Sequence, residues 1–566
     1  GVNHDLANGW GFNAYYQRGK SHKHMILDNL LRVDRWFLAQ DAVRDPATGN
    51  IVCNVQLYNP TPTQLAESVQ NVLVPSPQGP VNIASPIGLD NTIAGCVPLN
   101  IFGWGNASQE ARDYVVTDKW AESYITQDFA EAVLTGELLE NRRAGSIGFS
   151  VGATYRKEDL YQAAYPRDID DLGPPVNRPE LGIRGIPNGF ELGTPDLHQF
   201  STLTTFGGSF DVWETFAEVL VPLYDNGTQR LDWNVAARYA DYSLSGGVVA
   251  WKAGLDFQAT EDLRIRATLS RDVREATFAE RFDQQAGGAT INDPILEGRA
   301  FSTNILSGGN PSVAPEEADT YVLGIVYEPS WLAGTALSLD YYDIDLTGAI
   351  GRLGVQRIVD DCFAGDMAMC PRIERHPSTN EITLVSDIYT NIDGAKTRGV
   401  DLEVSYRTEP DFFSNISENL SIRMLAGYLA ERSETPLGGI TTEFAGSGVS
   451  PEWTTTTTLN YSLGAWDLSL THRFIDSVKR EVNWVEGVDV DINKVEAVRW
   501  MNMRLAYTHE LDRGSWEAFG SITNLFDEHP PMYASNISRG LPGNFSALHH
   551  TLALGRNYVV GLRYEF

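Results

Sequence analysis

Every second residue in the last ten positions of the chain is apolar, and the positions between them include a glycine and two charged residues. The apolar positions are Tyr558, Val560, Leu562, Tyr564 and Phe566. Because successive side chains of a β-strand point to opposite faces, this pattern predicts a strand with one wholly apolar face. The closing strand of a transmembrane β-barrel has such a face, since it contacts lipid on one side and water on the other. An edge strand of a soluble β-sandwich is the alternative for this stretch alone.

The same period of two recurs along the chain and predicts about sixteen strands. The predicted strands cover about 10–28, 122–138, 145–155, 210–223, 231–239, 247–257, 263–269, 318–329, 334–347, 397–407, 418–432, 452–463, 465–478, 495–510, 514–524 and 554–566. Residues 29–120 lack this period, and their apolar spacing predicts helices over about 30–43 and 108–116. Tight turns join many of the predicted strands directly. Such turns argue against βαβ units and favour an antiparallel all-β protein.

Short and long connections alternate between the predicted strands. The short ones are 224–230, 258–262, 330–334, 408–417, 463–465 and 511–514, and the long ones are 157–208, 272–317, 348–396, 432–451, 479–494 and 525–553. One exception is the connection 240–246, which is short although the alternation calls for a long connection there. This asymmetry is typical of outer-membrane barrels, with short periplasmic turns and long external loops.

Charged residues occupy the polar face of the predicted strands. Arg238, Arg264 and Arg266 are therefore expected to face the lumen, because charge on the lipid face costs about 2–4 kcal/mol at mid-bilayer. The residues expected to face lipid are Trp251, Leu269, Leu470, Val560 and Leu562. His472 shares the apolar face of its strand, and we expect it at the membrane interface.

Composition narrows the class of protein further. The net charge of −31 argues against a nucleic-acid-binding surface, which needs a basic stripe. No run of eighteen apolar residues predicts a transmembrane helix. The acidic run 168–172 lacks the glycine and final glutamate of a calcium loop, and the His549–His550 pair has no third ligand in sequence. We therefore expect no enzyme, no cofactor and no metal site.

The four cysteines allow three pairings and show no metal-ligand spacing. Cys362 and Cys370 are close enough to close a short loop, which leaves Cys53 with Cys96. Two disulfides in long loops would fit an extracytoplasmic protein. Free buried thiols are the alternative.

Five segments resemble motifs of the TonB-dependent outer-membrane receptor family. Residues 271–282 resemble the opening of a large external loop, and 309–321 resemble the G-N-P-x-L-x-P-E pattern with Val313 at the leucine. Residues 397–403 resemble the T-x-G-x-E-x-E strand opening, and 524–528 resemble the N-L-F-D turn before the last loop. The closing strand with Phe566 resembles the signal that directs outer-membrane insertion.

The resemblance implies a 22-stranded barrel, closed in the family by an N-terminal plug that carries the TonB box. Residues 1–566 show no plug pattern and no TonB box. We therefore expect a partial barrel domain that begins mid-domain and lacks the plug and the first strands. The implied function is TonB-energised uptake of an iron-siderophore, cobalamin or an oligosaccharide across the outer membrane of a Gram-negative bacterium. The implied partners are outer-membrane lipid, the barrel-assembly machinery, a small-molecule substrate, and the inner-membrane TonB energy complex through the missing plug.

Two other functions fit parts of the pattern. A passive sixteen-stranded porin matches the strand number, and a soluble secreted glycan-binding β-sandwich matches single strands. Aromatic and amide side chains in the long loops are candidate substrate contacts, although each would equally suit loop packing. They are Trp104, Phe282, Gln284, Gln285, Asn304 and Tyr389.

Overall fold

The computed structural model consists mainly of one large antiparallel sheet of eighteen strands. It describes residues 1–6, 9–58, 72–74, 81–83, 95–141, 144–165, 182–184, 205–296, 298–376, 380–392, 394–435, 440–531 and 549–566. The strands of these residues, numbered in chain order, are β1 Val2–Asp5, β2 Gly11–Leu31, β3 Ala42–Arg44, β4 Ile51–Cys53, β5 Val72–Val74, β6 Val81–Ile83, β7 Val116–Asn141, β8 Gly145–Tyr165, β9 Phe206–Asp225, β10 Arg230–Tyr242, β11 Gly246–Gln258, β12 Leu263–Arg274, β13 Gln284–Asp293, β14 Arg299–Gly308, β15 Glu316–Tyr327, β16 Thr335–Thr347, β17 Ile350–Gly351, β18 Ile373–Arg375, β19 Ile382–Ile388, β20 Thr390–Asn391, β21 Gly394–Thr408, β22 Glu418–Thr435, β23 Thr442–Glu443, β24 Trp453–Leu463, β25 Trp466–Ile475, β26 Val478–Lys479, β27 Lys494–Val495, β28 Val498–Glu510, β29 Ser515–Thr523 and β30 Asn557–Glu565.

Helices are few and short in the described residues. They are α1 Val33–Gln40, α2 Asn54–Tyr58, α3 Gln109–Val115, α4 Phe278–Phe282 and α5 Val355–Ala364. Single 3₁₀ turns cover Pro294–Leu296, Cys370–Arg372 and His550–Leu552. None of the described helices combines the length and apolar character needed to cross a membrane.

Neighbouring strands of the large sheet follow one another along the chain. The order is β1, β2, β7 to β12, β15, β16, β21, β22, β24, β25 and β28 to β30, and every pairing is antiparallel. Apart from the short β1 and β23, these are sixteen long strands, which agrees with the predicted number. Among the described residues, β1 pairs only with β2 and β30 only with β29, so they are the two edges of the sheet.

The long connections all lie at one end of the sheet, which we call the loop end. They are 32–115, 166–205, 275–315, 348–393, 436–452, 476–497 and 524–556. The opposite end, the turn end, contains only short connections. The three-residue connection 243–245 between β10 and β11 lies at the loop end, so the predicted exception is also present.

Residues on one face of the sheet line two cavities. This face is therefore the concave, inner face of the sheet. The lumen-facing arginines expected from the sequence, Arg238, Arg264 and Arg266, all lie on this face. Trp251 and Leu269 occupy intervening positions on the outer face, where 41% and 46% of their surfaces are exposed. Exposed apolar side chains over a whole face are suited to contact with lipid rather than water.

The last strand continues this alternation. Val560 and Leu562 of β30 are among the most exposed apolar side chains, and the ring of Phe566 lies 6.1 Å from that of Tyr564. The outer face of β30 thus has the apolar character that its sequence predicts. The role of this strand as an assembly signal remains a prediction.

The long connections contain more regular structure than the sequence pattern predicted. The hairpin β13–β14, with ten residues in each strand, lies within 272–317, and β19 lies within 348–396, both of which were predicted only as long connections. Strand β8 also continues ten residues beyond its predicted end at 155. The β13–β14 hairpin and β19 belong to a separate small sheet, outside the barrel wall formed by the sixteen long strands, so the lipid–water alternation that marks the wall is absent from them.

Candidate functional site

A line of polar and charged side chains, here called the polar track, crosses the inner face between the loop end and the turn end. Its members are Arg156, Glu214, Glu218, Asn234, Arg238, Lys252, Asp256, Arg264, Arg266 and Asp340. They come from β8 to β12 and from β16. Because these side chains lie on the same face of the sheet, they form a stripe of polar groups along it.

The upper part of the polar track lines a cavity of about 340 Å³ below the β10–β11 turn. Arg238 Nη1 lies 3.5 Å from Glu214 Oε1. The guanidinium of Arg238 lies 5.2 Å from the ring centre of Phe216, and that of Arg156 lies 5.8 Å from the ring centre of Phe210. Cation–π contacts of this kind hold both guanidinium groups beside the cavity. A cavity of this volume is within the range of small-molecule sites.

The lower part of the polar track lines a cavity of about 690 Å³ near the turn end. Arg264 Nε donates to Asp256 Oδ1 at 2.8 Å, and Lys252 Nζ lies 3.9 Å from Glu218 Oε1. Arg264 thus faces a carboxylate on the neighbouring strand β11, and Lys252 faces one on β9 across Ala236 of β10. Exposed pairs contribute only about 0–1 kcal/mol each, so they keep the wall hydrated more than they stabilise it.

One ion pair of the polar track spans three strands. Arg266 on β12 and Asp340 on β16 are separated by Gly324 on β15, and Arg266 Nη2 donates to Asp340 Oδ2 at 2.8 Å. A Cβ atom at position 324 would collide with the Asp340 carboxylate and the Arg266 side chain. Glycine is therefore required at this position for the pair to form.

Above the inner face, the connections 275–315 and 348–393 fold together into one unit, here called the two-loop cap. Residues 304–308 of β14 pair in parallel with residues 384–388 of β19, which joins the two connections in a single sheet. Helix α5 covers this sheet, and Ile291, Ile358 and Val385 form its buried core. Each connection therefore depends on the other for its folded structure.

Polar contacts reinforce the joint between the two connections. The Asp293 carboxylate is fully buried and pairs with Arg375 Nη1 at 2.6 Å. Asn310 Nδ2 donates to the carbonyl oxygen of Tyr389 at 2.8 Å. A buried carboxylate needs such a partner, because an unpaired charge in this position would be costly.

A buried ion pair holds the base of the two-loop cap. Arg281 is 1% exposed, and its guanidinium pairs with the Glu275 carboxylate and donates to the carbonyl oxygen of Pro311 at 2.7 Å. Ser245 Oγ, in the β10–β11 turn, donates to Glu275 Oε2 at 2.6 Å. The cap is thereby tied to the rim of the wall beside the upper cavity.

The two sequence motifs at 271–282 and 309–321 contact each other at this base. The amide of Asn310 donates to the carbonyl oxygen of Glu280 at 2.8 Å. Burial alone would raise the pKa of the Glu280 carboxyl, but hydrogen bonds from Arg274 and Thr277 lower it below its ordinary value. The motifs thus close a long connection at its ends, which is a structural role.

Disulfides occur in both of the expected pairs. Cys362 and Cys370 join α5 to the following 3₁₀ turn within the two-loop cap. Cys53 and Cys96 join distant parts of the connection 32–115. No described cysteine is free.

We expect the Cys362→Ser/Cys370→Ser double variant to loosen the two-loop cap without affecting the barrel wall. The bond closes a loop with a sequence separation of 8, and the chain-entropy model gives about 2.5 kcal/mol for a loop of this length. Hydrogen exchange of residues 355–388 should increase accordingly. The Cys53→Ser/Cys96→Ser variant is the control and should leave exchange in this segment unchanged. Unchanged exchange in the first variant would contradict the prediction.

A second pair of connections is joined near β2 and β8. Ile183 from 166–205 is 1% exposed within the core of the connection 32–115. Arg184 forms a bidentate contact with Asp41, with nitrogen–oxygen distances of 2.9–3.1 Å. The loop end is therefore built from joined pairs of connections rather than from independent loops.

Burial lowers the pKa of His549 in the connection before β30. The unfolded segment therefore binds a proton more readily, and acidification below the ordinary histidine pKa of about 6.5 should favour local opening. We expect faster hydrogen exchange of residues 549–556 at pH 5.5 than at pH 7.5 after correction for intrinsic rates. The His549→Gln variant should lose this difference. An equal pH dependence in the variant would show that another group is responsible.

The structure places the predicted loop contacts in different surroundings. Phe282 packs over Gly208 of β9 and lies 6.1 Å from the Phe278 ring. Gln285 Nε2 donates to Asp283 Oδ2 at 3.2 Å. The backbone of Gln284 pairs with Gly308 in the β13–β14 hairpin. The observed contacts of Phe282 and Gln285 are therefore internal to the protein: Phe282 packs the base of the cap against β9, and Gln285 makes a hydrogen bond within the cap.

The remaining predicted contacts divide between the two loop units. Asn304 lies on β14, and the Tyr389 ring lies 5.8 Å below the exposed Arg352 guanidinium, both in the two-loop cap. Trp104 is fully exposed in the connection 32–115, between glycines with positive φ. A role of these residues in substrate binding remains a prediction.

The sequence did not identify the residues around the upper cavity as a site. Arg238 was expected in the lumen, but its contacts with Glu214 and Phe216 depend on the register of β9 against β10. Charged residues on the polar faces of successive strands were the available signal. Among the described residues, no group of three or more His, Cys, Asp and Glu side chains could hold a metal ion.

Comparisons with known proteins agree with this architecture. The mutant ferric enterobactin receptor PfeA from Pseudomonas aeruginosa, in complex with enterobactin, is 13% identical, with a TM-score of 0.50, over 79% of this chain and 60% of that one. The siderophore receptor PirA from Acinetobacter baumannii is 13% identical, with a TM-score of 0.48, over 79% and 59%. The chain thus spans about 60% of the length of these receptors. No curated protein matches it in sequence.

A family model provides the assignment. The model described as TonB dependent receptor-like, beta-barrel matches residues 86–525, which is most of the chain. The matched range includes fourteen of the sixteen long strands, the polar track and the two-loop cap. The chain therefore belongs to the TonB-dependent receptor β-barrel family.

Proposed function

We propose that this chain is the barrel part of an outer-membrane receptor that takes up a scarce solute with energy from the TonB complex. The observation that carries the proposal is the position of the two-loop cap directly above a polar track. The cap offers a folded surface at the loop end, and the track leads from it to the turn end. A solute bound at the cap would meet the charged and polar side chains of the polar track on its way to the turn end.

The domain organisation is part of the same proposal. The wall formed by sixteen long strands would be completed by further strands, and a plug would fill the space inside it. The polar track supports this arrangement, because an inner face that alternates cations and carboxylates can hold a polar domain and release it at low energetic cost. Contact with the TonB complex would occur through the plug.

Folded loop units separate this proposal from a passive porin. A porin needs an open aqueous channel, whereas a receptor needs a preorganised binding surface. The buried Arg281–Glu275 and Arg375–Asp293 pairs preorganise the two-loop cap. Solute class is not fixed by these contacts, and iron-siderophores, cobalamin and oligosaccharides all remain candidates.

An uptake assay tests the proposed function. Cells that produce the complete receptor, and matched cells that lack it, are given radiolabelled ferric siderophores, cobalamin and oligosaccharides in parallel. We expect uptake of one class to saturate at low concentration and to stop when a protonophore removes the energy supply. Uptake that rises linearly with concentration and is unaffected by the protonophore would contradict the proposal and favour a porin.

A further inference from the structure

The sheet of the two-loop cap has two edges of very different character. Its strand order is β13, β14, β19, β18. The β18 edge has only three residues, and two of them, Glu374 and Arg375, are charged. Short, charged edge strands are the usual protection of a sheet against the addition of a further strand. The β18 edge is therefore protected.

The opposite edge, β13, lacks this protection. The strand has ten residues, and from Gln284 to Asn292 it contains neither a charged residue nor a proline. It pairs with β14 residue for residue, without a bulge. Among the strands that the structure describes, β14 is its only partner. A long, regular and uncharged edge of this kind is a template for another strand.

Two contacts show which backbone groups of β13 point away from β14. On the β14 side, Ser307 Oγ donates to the carbonyl oxygen of Gln285 at 3.3 Å. On the other side, the backbone N–H and carbonyl of Asn292 both bond to the side chain of Gln356 on α5. The backbone groups of successive residues alternate between the two sides of a strand. The outward groups of β13 therefore belong to positions 284, 286, 288, 290 and 292.

The contact with Gln356 shows that this edge accepts an amide group. Gln356 Oε1 accepts from the N–H of Asn292 at 2.8 Å, and Gln356 Nε2 donates to the carbonyl oxygen of Asn292 at 2.9 Å. A residue of a neighbouring antiparallel strand makes the same two hydrogen bonds with its backbone. Gln356 thus occupies the last outward position of β13. The outward positions 284 to 290 precede it and extend over about 20 Å.

The residues in the middle of β13 suit the approach of another backbone. Gly287 and Gly288 lie at the centre of the strand. Glycine inside a strand often marks a place where another backbone comes close, because no side chain is in the way. Thr290, the last outward residue before Gln356 takes over, is exposed. Helix α5 packs on the face of the sheet that carries Ile291 and therefore leaves the edge accessible at these positions.

We propose that the β13 edge binds an extended, uncharged peptide segment of about seven residues as a fifth strand of the cap sheet. Main-chain hydrogen bonds to positions 284 to 290 supply the binding, as in other cases of strand addition to a sheet edge. The segment is uncharged because the edge offers no charge to pair with. A second copy of this chain is a poorer occupant, since two copies with a net charge of −31 repel each other. The inference goes beyond the proposed uptake function and does not depend on the class of solute.

The test titrates the full chain in detergent with a fluorescein-labelled heptapeptide of alternating threonine and valine, and measures binding by fluorescence anisotropy. Thr290→Pro removes an outward N–H but no hydrogen bond to β14, so it should weaken binding about tenfold or more. Thr290→Ala is the matched control, because it shortens the same side chain and keeps the N–H. Its affinity should stay within about twofold of the wild type. A heptapeptide with N-methyl groups on two adjacent central residues should not bind, since one of these amides faces β13 in either register.

Hydrogen exchange of the peptide-free wild type is an independent measurement of the same edge. The outward amides at 286, 288 and 290 should exchange much faster than the amides at 285, 287 and 289, which point to β14. Protected outward amides would overturn the inference, because another part of the chain would then cover the edge. Equal peptide affinities of Thr290→Pro and the wild type, or no saturable binding, would also overturn it. A wild-type dimer that Thr290→Pro dissociates would assign the edge to a second copy instead.

Discussion

Replacement of Arg281 by alanine should open the base of the two-loop cap. The variant leaves the Glu275 carboxylate buried without its cation and removes the hydrogen bond to Pro311. Breaking a buried pair by removing one partner typically costs about 3–5 kcal/mol. We expect hydrogen exchange to rise by two to three orders of magnitude over residues 275–315, while strands β7 to β12 remain protected.

Two further variants show whether the buried charge is responsible. Arg357→Ala removes a partly exposed ion pair with Asp361 on α5. It should change the free energy of opening by about 0.5 kcal/mol or less, and therefore change hydrogen exchange only slightly. The Glu275→Met/Arg281→Met double variant removes both charges and should be less destabilised than Arg281→Ala. Normal exchange in Arg281→Ala would show that the pair does not hold the cap.

An arginine at position 323 should prevent stable insertion of the wall. Leu323 lies near the middle of β15 on the outer face and is 52% exposed. An arginine at mid-bilayer on the lipid face costs about 2–4 kcal/mol. We expect a large fall in the amount of Leu323→Arg protein in the outer membrane, and reduced heat resistance of the inserted fraction on gels.

Thr320→Arg is the matched control for this variant. Thr320 is on the same strand but on the inner face, between Ser270 and Ile344 in the register. A charge there faces the hydrated lumen, so membrane level and heat resistance should be near those of the wild type. Similar losses in both variants would contradict the assignment of the two faces.

The wall could be predicted from sequence because its environment repeats at every strand. Lipid on one face and water on the other impose a period of two. This period identified β11 to within one residue at both ends, and β10 and β12 to within one residue at their starts. The same physics places Arg264 and Leu269 on opposite faces. Alternation is a local property, so it requires no knowledge of distant residues.

The two-loop cap could not be predicted in this way. Strands β13 and β14 have no lipid face, so their residues lack the alternation that marks the wall. The parallel pairing of β14 with β19 joins residues about eighty positions apart. Only the cysteine separation and the 271–282 and 309–321 motifs indicated that these connections have defined structure.

The candidate site, like the fold, could be predicted from the sequence only in part. Residue type alone selected Phe282 and Gln285, whose observed contacts are with other residues of the protein, β9 for Phe282 and Asp283 for Gln285. The upper cavity instead depends on the register that brings Arg238 beside Glu214. Predicting such a site requires the pairing of neighbouring strands, which a single sequence does not specify.

Spin labels along β12, in the intact outer membrane, test most directly whether this chain is a membrane-spanning wall. Labels placed singly at positions 263–270 are read for access to oxygen, which partitions into lipid, and to a water-soluble nickel chelate. Positions 265, 267 and 269 should be accessible to oxygen, and positions 264, 266 and 268 to the chelate. Access that does not alternate with this period, or that alternates in the opposite sense, would contradict the account.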